Sequence, residues 1–166
     1  NVRRKVENMV CEKIRSMPQG TKTALARRAN SAVLTALMES GDETVIEACL
    51  ESPMLTEGQL YKLINAPNSK AVLIKMVAGH ARWSARYHVK LALVRKFYTP
   101  MPLVARFIRD IRTTDLRDLY HDPAVPTSTR PFIFREIGER GENAENEEKE
   151  VFGLSGDEDE FLPENH

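Results

Sequence analysis

The chain has 166 residues, 42% of them hydrophobic, with 24 Lys plus Arg balancing 24 Asp plus Glu; that suffices for one domain with a buried core. No apolar run approaches the ~18 to 20 residues that cross a bilayer, and the opening "NVRRKVENMVCEKIRSM" has charge where a secretory leader needs its apolar region, so the expectation is a cytoplasmic protein with no membrane partner. Cys11 and Cys49 lie far apart in apolar helical patterns without Cys-x-x-Cys or Cys/His spacing, which reads as reduced core thiols.

Apolar residues recur at helical spacing along most of the chain, and no stretch sustains the alternation of a strand. The reading is all-α. A first helix places Val2, Val6, Met9, Val10, Ile14 and Met17 on one face and ends at "PQG". A second, from about Thr21, buries Leu25, Ala29, Ala32, Val33, Ala36 and Leu37, with Gly41 as terminator and Asp42 as the next N-cap. The third runs from Asp42 to about Leu50. Pro53 then turns the chain, and Thr56 with Gln59 three residues on has the form of a capping box opening a fourth helix. Further helices are expected from Ser69 to Gly79, from about Ser84 to Lys96, from a Thr99 cap with Pro100 at the first helical position, from Asp115 to Tyr120, and from about Thr127 to Gly138.

The pattern repeats. A shift of 43 residues lays Ile46 on Val89, Leu50 on Leu93, Thr56 on Thr99 and Leu60 on Leu103, and a further 27 lays Leu93 on Tyr120, Tyr98 on Val125 and Phe107 on Phe134. Short amphipathic helices that cannot each bury an apolar face solve the problem by stacking on neighbours. The segment "ARWSARYHVKLALVRKFYTPMPLVARFI", with its Trp ahead of a helix that ends before a Thr-Pro corner, resembles HEAT-like and leucine-rich-repeat-variant helical-repeat proteins of bacteria. The resemblance covers about residues 21–138. It implies an irregular right-handed stack of short helix pairs and a habit of binding macromolecules, and it transfers no catalytic residue.

Charge divides the chain. Residues 141–166 hold ten acidic residues and one Lys, leaving residues 1–140 with an excess of nine positive charges. High charge with little apolar content does not repay ordering, so the expected organisation is a helical-repeat domain over 1–140 and a disordered acidic tail over 141–166. Two apolar islands, one with Phe152 and Leu154 and one with Phe161 and Leu162, have the form of a docking motif.

No Gly-rich phosphate loop, His-Glu-x-x-His, Gly-x-Ser-x-Gly or calcium loop occurs, so no cofactor, metal site or catalytic residue is expected. His80 and His88 are eight residues apart across an expected helix break, His121 sits at a helix end, and Asp115, Asp118 and Asp122 read as helix-start, surface and turn carboxylates. The functional lead is residues 70–117, where eleven Lys and Arg face only Asp110 and Asp115. Arg86 and Lys90 share a helical face, Arg106 and Arg109 another, with Arg95 between them and Trp83 and Tyr87 beside them as aromatic anchors. The first expectation is a non-catalytic scaffold or adaptor that binds another protein through this ridge. The alternative is a nucleic-acid-binding module using the same residues, with the acidic tail as a tethered cover.

Overall fold

The computed structural model describes residues 2–151, which form eleven α-helices and no strand. They are α1 (Val2–Ser16), α2 (Gln19–Ala26), α3 (Ser31–Ser40), α4 (Glu43–Leu50), α5 (Glu57–Asn65), α6 (Ala71–Gly79), α7 (Ala81–Ser84), α8 (Tyr87–Val94), α9 (Met101–Asp110), α10 (Thr113–His121) and α11 (Arg130–Val151). In the first half each helix packs on the one two places along: α1 on α3, α2 on α4, α3 on α5, α4 on α6. The short α7 interrupts this order, so α5 meets α8 instead, and the chain closes with α8 on α9, α9 on α11 and α10 on α11. One apolar cluster runs through all of it, from Ile14 of α1 to Ile133 of α11.

One expected helix is divided, and a short helix, α7, stands in the gap expected between Gly79 and Ser84. The run from Thr21 to Leu37 breaks at Arg27–Asn30, because the Asn30 side chain accepts from the Val33 N–H at 3.0 Å and starts α3 afresh. His80 does the same for α7, its Nδ1 accepting from the Trp83 N–H at 3.4 Å. On α1, Ile14 is fully buried, but Val2, Val6 and Met9 are exposed, so the face expected to be buried is covered only towards its C-terminal end. At the far end α11 runs past the expected boundary at residue 140 to Val151; the Glu-rich sequence there contains no proline and is rich in good helix formers. Phe152, Leu154, Phe161 and Leu162 lie outside the described residues.

The corners are closed by side chains that do not all act the same way. Asp42 caps α4 through the Val45 N–H at 3.2 Å. Gly41 is required by close approach: a Cβ there would stand 2.5 Å from the Leu37 carbonyl oxygen and 2.9 Å from Val45 Cγ1. Thr56 caps α5 through the Gln59 N–H at 3.3 Å, yet Gln59 does not close the box; its amide instead donates to the Ser31 carbonyl at 2.6 Å and to Thr35 Oγ1 at 3.2 Å, tying α5 to α3. Ser69 and Thr99, expected as N-caps, turn the other way. Ser69 Oγ lies 2.7 Å from the carbonyls of Leu63 and Ile64, and Thr99 Oγ1 donates to that of Leu93 at 2.6 Å. A corner of this length places the hydroxyl over the orphan carbonyls of the helix just ended, and Lys70 and Pro100 take the N-cap positions.

Cross-chain bonds fix the directions of the last four helices. Tyr87 at the start of α8 bonds Asp115 in the first turn of α10, and Arg95 at the end of α8 bonds Asp122 at the end of α10, so these two run parallel. Lys90 of α8 meets Asp110 at the end of α9, which is therefore antiparallel to α8. Arg140 of α11 reaches the last carbonyls of α9, so α9 and α11 run together. This half of the molecule thus has two distinct edges, one at the start of α8 and the end of α9, the other at the α8–α9 and α10–α11 corners.

Candidate interaction surface

The seven ridge residues have different environments. Trp83 is 2% exposed, and its indole N–H donates to the Leu50 carbonyl at 2.8 Å. It is a core residue, so its assignment as a surface anchor is corrected; a large ring beside a helix end fills the gap between α4, α6 and α8 better than it stands in water. Tyr87 is half-buried and saturated: its hydroxyl donates to Asp115 Oδ2 and accepts from the Arg112 backbone N–H at 3.0 Å and Arg112 Nε at 3.2 Å, while the Arg112 guanidinium lies 5.0 Å from its ring centre. Lys90 Nζ lies 2.6 Å from Asp110 Oδ2 and Arg95 Nε 2.7 Å from Asp122 Oδ2. Arg86, Arg106 and Arg109 remain exposed.

The bound carboxylates respond to these neighbours. The Tyr87 hydroxyl, and after it the Arg112 guanidinium, hold Asp115 below the usual carboxylate range, and Tyr87 with Asp115 raises Arg112. Arg95, then the Ala124 N–H at 2.8 Å, hold Asp122 low in the same way. Both acids expected to be merely local therefore clamp α8 to α10, while Asp110, counted among the opposing charges, clamps α8 to α9.

At the first edge, three guanidinium groups face solvent around these clamps. Arg140 closes the end of α9: Nη1 donates to the Ile111 carbonyl at 2.7 Å and Thr113 Oγ1 at 3.1 Å, Nη2 to the carbonyls of Ile108 at 3.2 Å and Arg109 at 2.9 Å, and Nε to Glu136 at 2.9 Å. Carbonyls that would draw a cation from elsewhere are thus already occupied.

The second edge carries side chains not singled out from the sequence. Phe97 is 77% exposed and Tyr98 48%, their rings edge to face at 5.8 Å. The Arg95–Asp122 pair ties their corner to the end of α10, where Tyr120 packs on Phe134 at 6.0 Å, and Phe134 is 67% exposed. The repeat contained the signal. Met54, Phe97 and Ala124 share one register position, which faces outward in all three corners, while the next position is plugged by Leu55 and Val125 but filled by the bulkier, half-exposed Tyr98.

Elsewhere, an open cleft of about 690 Å³ lies between α1 and α3, lined by Asn8, Cys11, Glu12, Arg15, Glu39 and Lys70 among others. Another of about 340 Å³ is lined by Glu57, Gly58, Tyr61 and His88. Among the described residues no group of three His, Cys, Asp or Glu is placed to hold a metal ion, and no helix is long and apolar enough to cross a membrane. No family model, curated protein or solved structure matches the chain.

Proposed function

We propose that the chain is a non-catalytic helical-repeat adaptor, its helix pairs stacked in the right-handed HEAT-like manner, that binds another protein through the edge formed by Phe97, Tyr98 and Phe134. The observation that carries this is the exposure of Phe97 and Tyr98 on the α8–α9 corner and of Phe134 in the first turns of α11, with the Arg95–Asp122 ion pair tying the first corner to the end of α10. Exposed aromatic side chains are costly in water and characteristic of protein interfaces, where they become the anchors. Against the nucleic-acid reading, Lys90 and Arg95 are neutralised within the fold and Trp83 is buried, which removes two phosphate contacts and the main stacking ring.

Two measurements decide it. Affinity capture is run with the full chain and with Phe97→Ser and Tyr98→Ser variants; the adaptor reading expects a partner retained by the parent in moderate salt and lost from both variants. Fluorescence anisotropy of labelled oligonucleotides is run over a salt series. Micromolar, steeply salt-dependent binding that the aromatic variants leave intact and that Arg86→Ala or Arg106→Ala abolishes would replace the adaptor by a nucleic-acid-binding module.

A further inference from the structure

Helix α1 carries an apolar stripe that the fold leaves uncovered. Val2, Val6 and Met9 are 78%, 52% and 60% exposed, although Val10 and Met17 on the adjoining face pack against the core and Ile14 is fully buried. At about 100° of turn per residue, Val2, Val6, Met9 and Lys13 fall within roughly 60° of arc, and Ile14 lies about 110° from its centre. The helix thus gives its Ile14 face to the body, where it packs on α3, and turns the stripe to solvent. Its members are spaced by four, three and four residues, the alternation with which two helices mesh along a shared seam. Lys13, the fourth member, is exposed; its aliphatic stem lies well on apolar surface while the ammonium stays in water.

Two copies of this stripe fit one another in one direction only. Laid parallel, each residue meets its own copy, so that Lys13 stands against Lys13 within the seam. Turned about a two-fold axis near residues 7 and 8, Val6 lies against Met9 of the second copy, Met9 against its Val6, and Val2 under its Lys13 stem. The same axis decides the rim. Lys5 and Glu12 flank the stripe on one side, seven residues apart and exposed, and neither has an ion pair or side-chain hydrogen bond among the described residues. Four residues along its own helix Lys5 has Met9, and Glu12 has Asn8 and Ser16, so neither finds an opposite charge there. The two-fold sets Lys5 of each copy beside Glu12 of the other. Glu12 also borders the α1–α3 cleft with Arg15, Glu39 and Lys70, where the two signs balance; the pairing needs complementary charges at symmetric positions and no surplus of either.

We infer that α1 is a self-association surface, on which two copies of the chain pair antiparallel through Val2, Val6, Met9 and the Lys13 stem, with Lys5 of each against Glu12 of the other. A contact of this isologous kind closes at two copies and does not propagate. So short a seam buries less than the roughly 1,200 Å² of lasting interfaces, which makes the dimer transient, with a Kd of about 10–100 µM. It does not rest on the adaptor reading, since Phe97, Tyr98 and Phe134 belong to other helices and corners.

Sedimentation velocity of the full chain over about 1 to 500 µM is the test, and a monomer–dimer equilibrium is the expected result. Val6→Glu and Lys5→Glu should each weaken dimerisation about tenfold or more, and Lys5→Glu combined with Glu12→Lys should bring it back to within about threefold of the parent. All three positions are exposed, and the far-ultraviolet circular dichroism spectrum of each variant checks that it folds. A monomer throughout the range, a dimer indifferent to Val6→Glu, or a double exchange that dimerises no better than Lys5→Glu would overturn the inference. So would assemblies larger than two, or a dimer lost from Phe97→Ser, which would place the contact on the aromatic edge. Capture of the adaptor's partner should be lost from Phe97→Ser and kept by Val6→Glu, so the two proposals fail separately.

Discussion

The indole N–H of Trp83 donates to the carbonyl of Leu50, 33 residues earlier in the chain, at 2.8 Å. Leu50 is the last residue of α4, and its carbonyl belongs to the terminal set with no partner inside its own helix. Trp83→Phe keeps most of the ring but leaves that buried acceptor unpaired. The expected loss is about 1–3 kcal/mol, read as a lowered urea midpoint with unchanged slope. An unchanged midpoint would mean that the carbonyl finds another donor and that α7 contributes only its volume.

Arg140 is expected to matter more than its place at a domain boundary suggests. Its guanidinium joins the end of α9 to α11 through four acceptors besides Glu136. Arg140→Ala should lower stability by about 1–3 kcal/mol, the range for hydrogen bonds to a charged group, and speed amide exchange along the described part of α11. Arg140→Lys should recover only part of this, because an ammonium cannot span carbonyls that a planar fork reaches together. Equal behaviour of Lys and Arg at this position would reduce the role to simple charge.

The all-helical class and the corners were legible because periodicity, Pro53, Asp42 and Thr56 each act locally. The split at Asn30 was missed because "RRANSA" keeps an apolar rhythm across the break; only the packing of α2 on α4 and of α3 on α1 and α5 shows that two helices are needed. The burial of Trp83 and the pairing of Tyr87, Lys90 and Arg95 were not legible for a different reason. Spacing assigns a residue to a face but does not say what stands opposite, and the opposing groups, Asp110, Asp115 and Asp122, come from 20 to 28 residues away. Gln59 shows the same limit, since its local capping role gave way to a bond 28 residues distant. Phe97 was overlooked because an aromatic residue in a corner resembles a core residue until the outward position of Met54 in the same register is considered.

Acid should loosen the C-terminal half through Asp115 and Asp122. Both have folded pKa values below their unfolded ones, near 3.9, so the folded state binds protons less readily than the unfolded state. Their contribution is fully present above that unfolded value and is lost as pH falls through the folded values. Urea midpoints measured from pH 7 to 2 should therefore drop below about pH 4, and the drop should shrink in an Asp115→Asn, Asp122→Asn double variant, which lacks both titrations and is already less stable at pH 7. A parent and variant with parallel acid profiles would exclude the two clamps as its source.

At the alkaline end the two thiols should separate. Cys49 is fully buried in α4 and its pKa is pushed up to about 12 by desolvation, while Cys11 is half-buried on the α1–α3 cleft. The thiolate is the reactive form, so one thiol per chain should react with an aromatic disulfide reagent in the native state, and the second only on unfolding. The sign for stability is opposite to that of the acids. An unfolded Cys49 ionises near pH 8.5 and a folded one near 12, so ionisation favours the unfolded chain increasingly as pH rises between those values. Cys49→Ala should start less stable at pH 7 because of the cavity it leaves, yet lose less stability than the parent between pH 8 and 11. Rapid labelling of both thiols without denaturant would show that α4 opens locally, and the alkaline slope would then have to be assigned elsewhere.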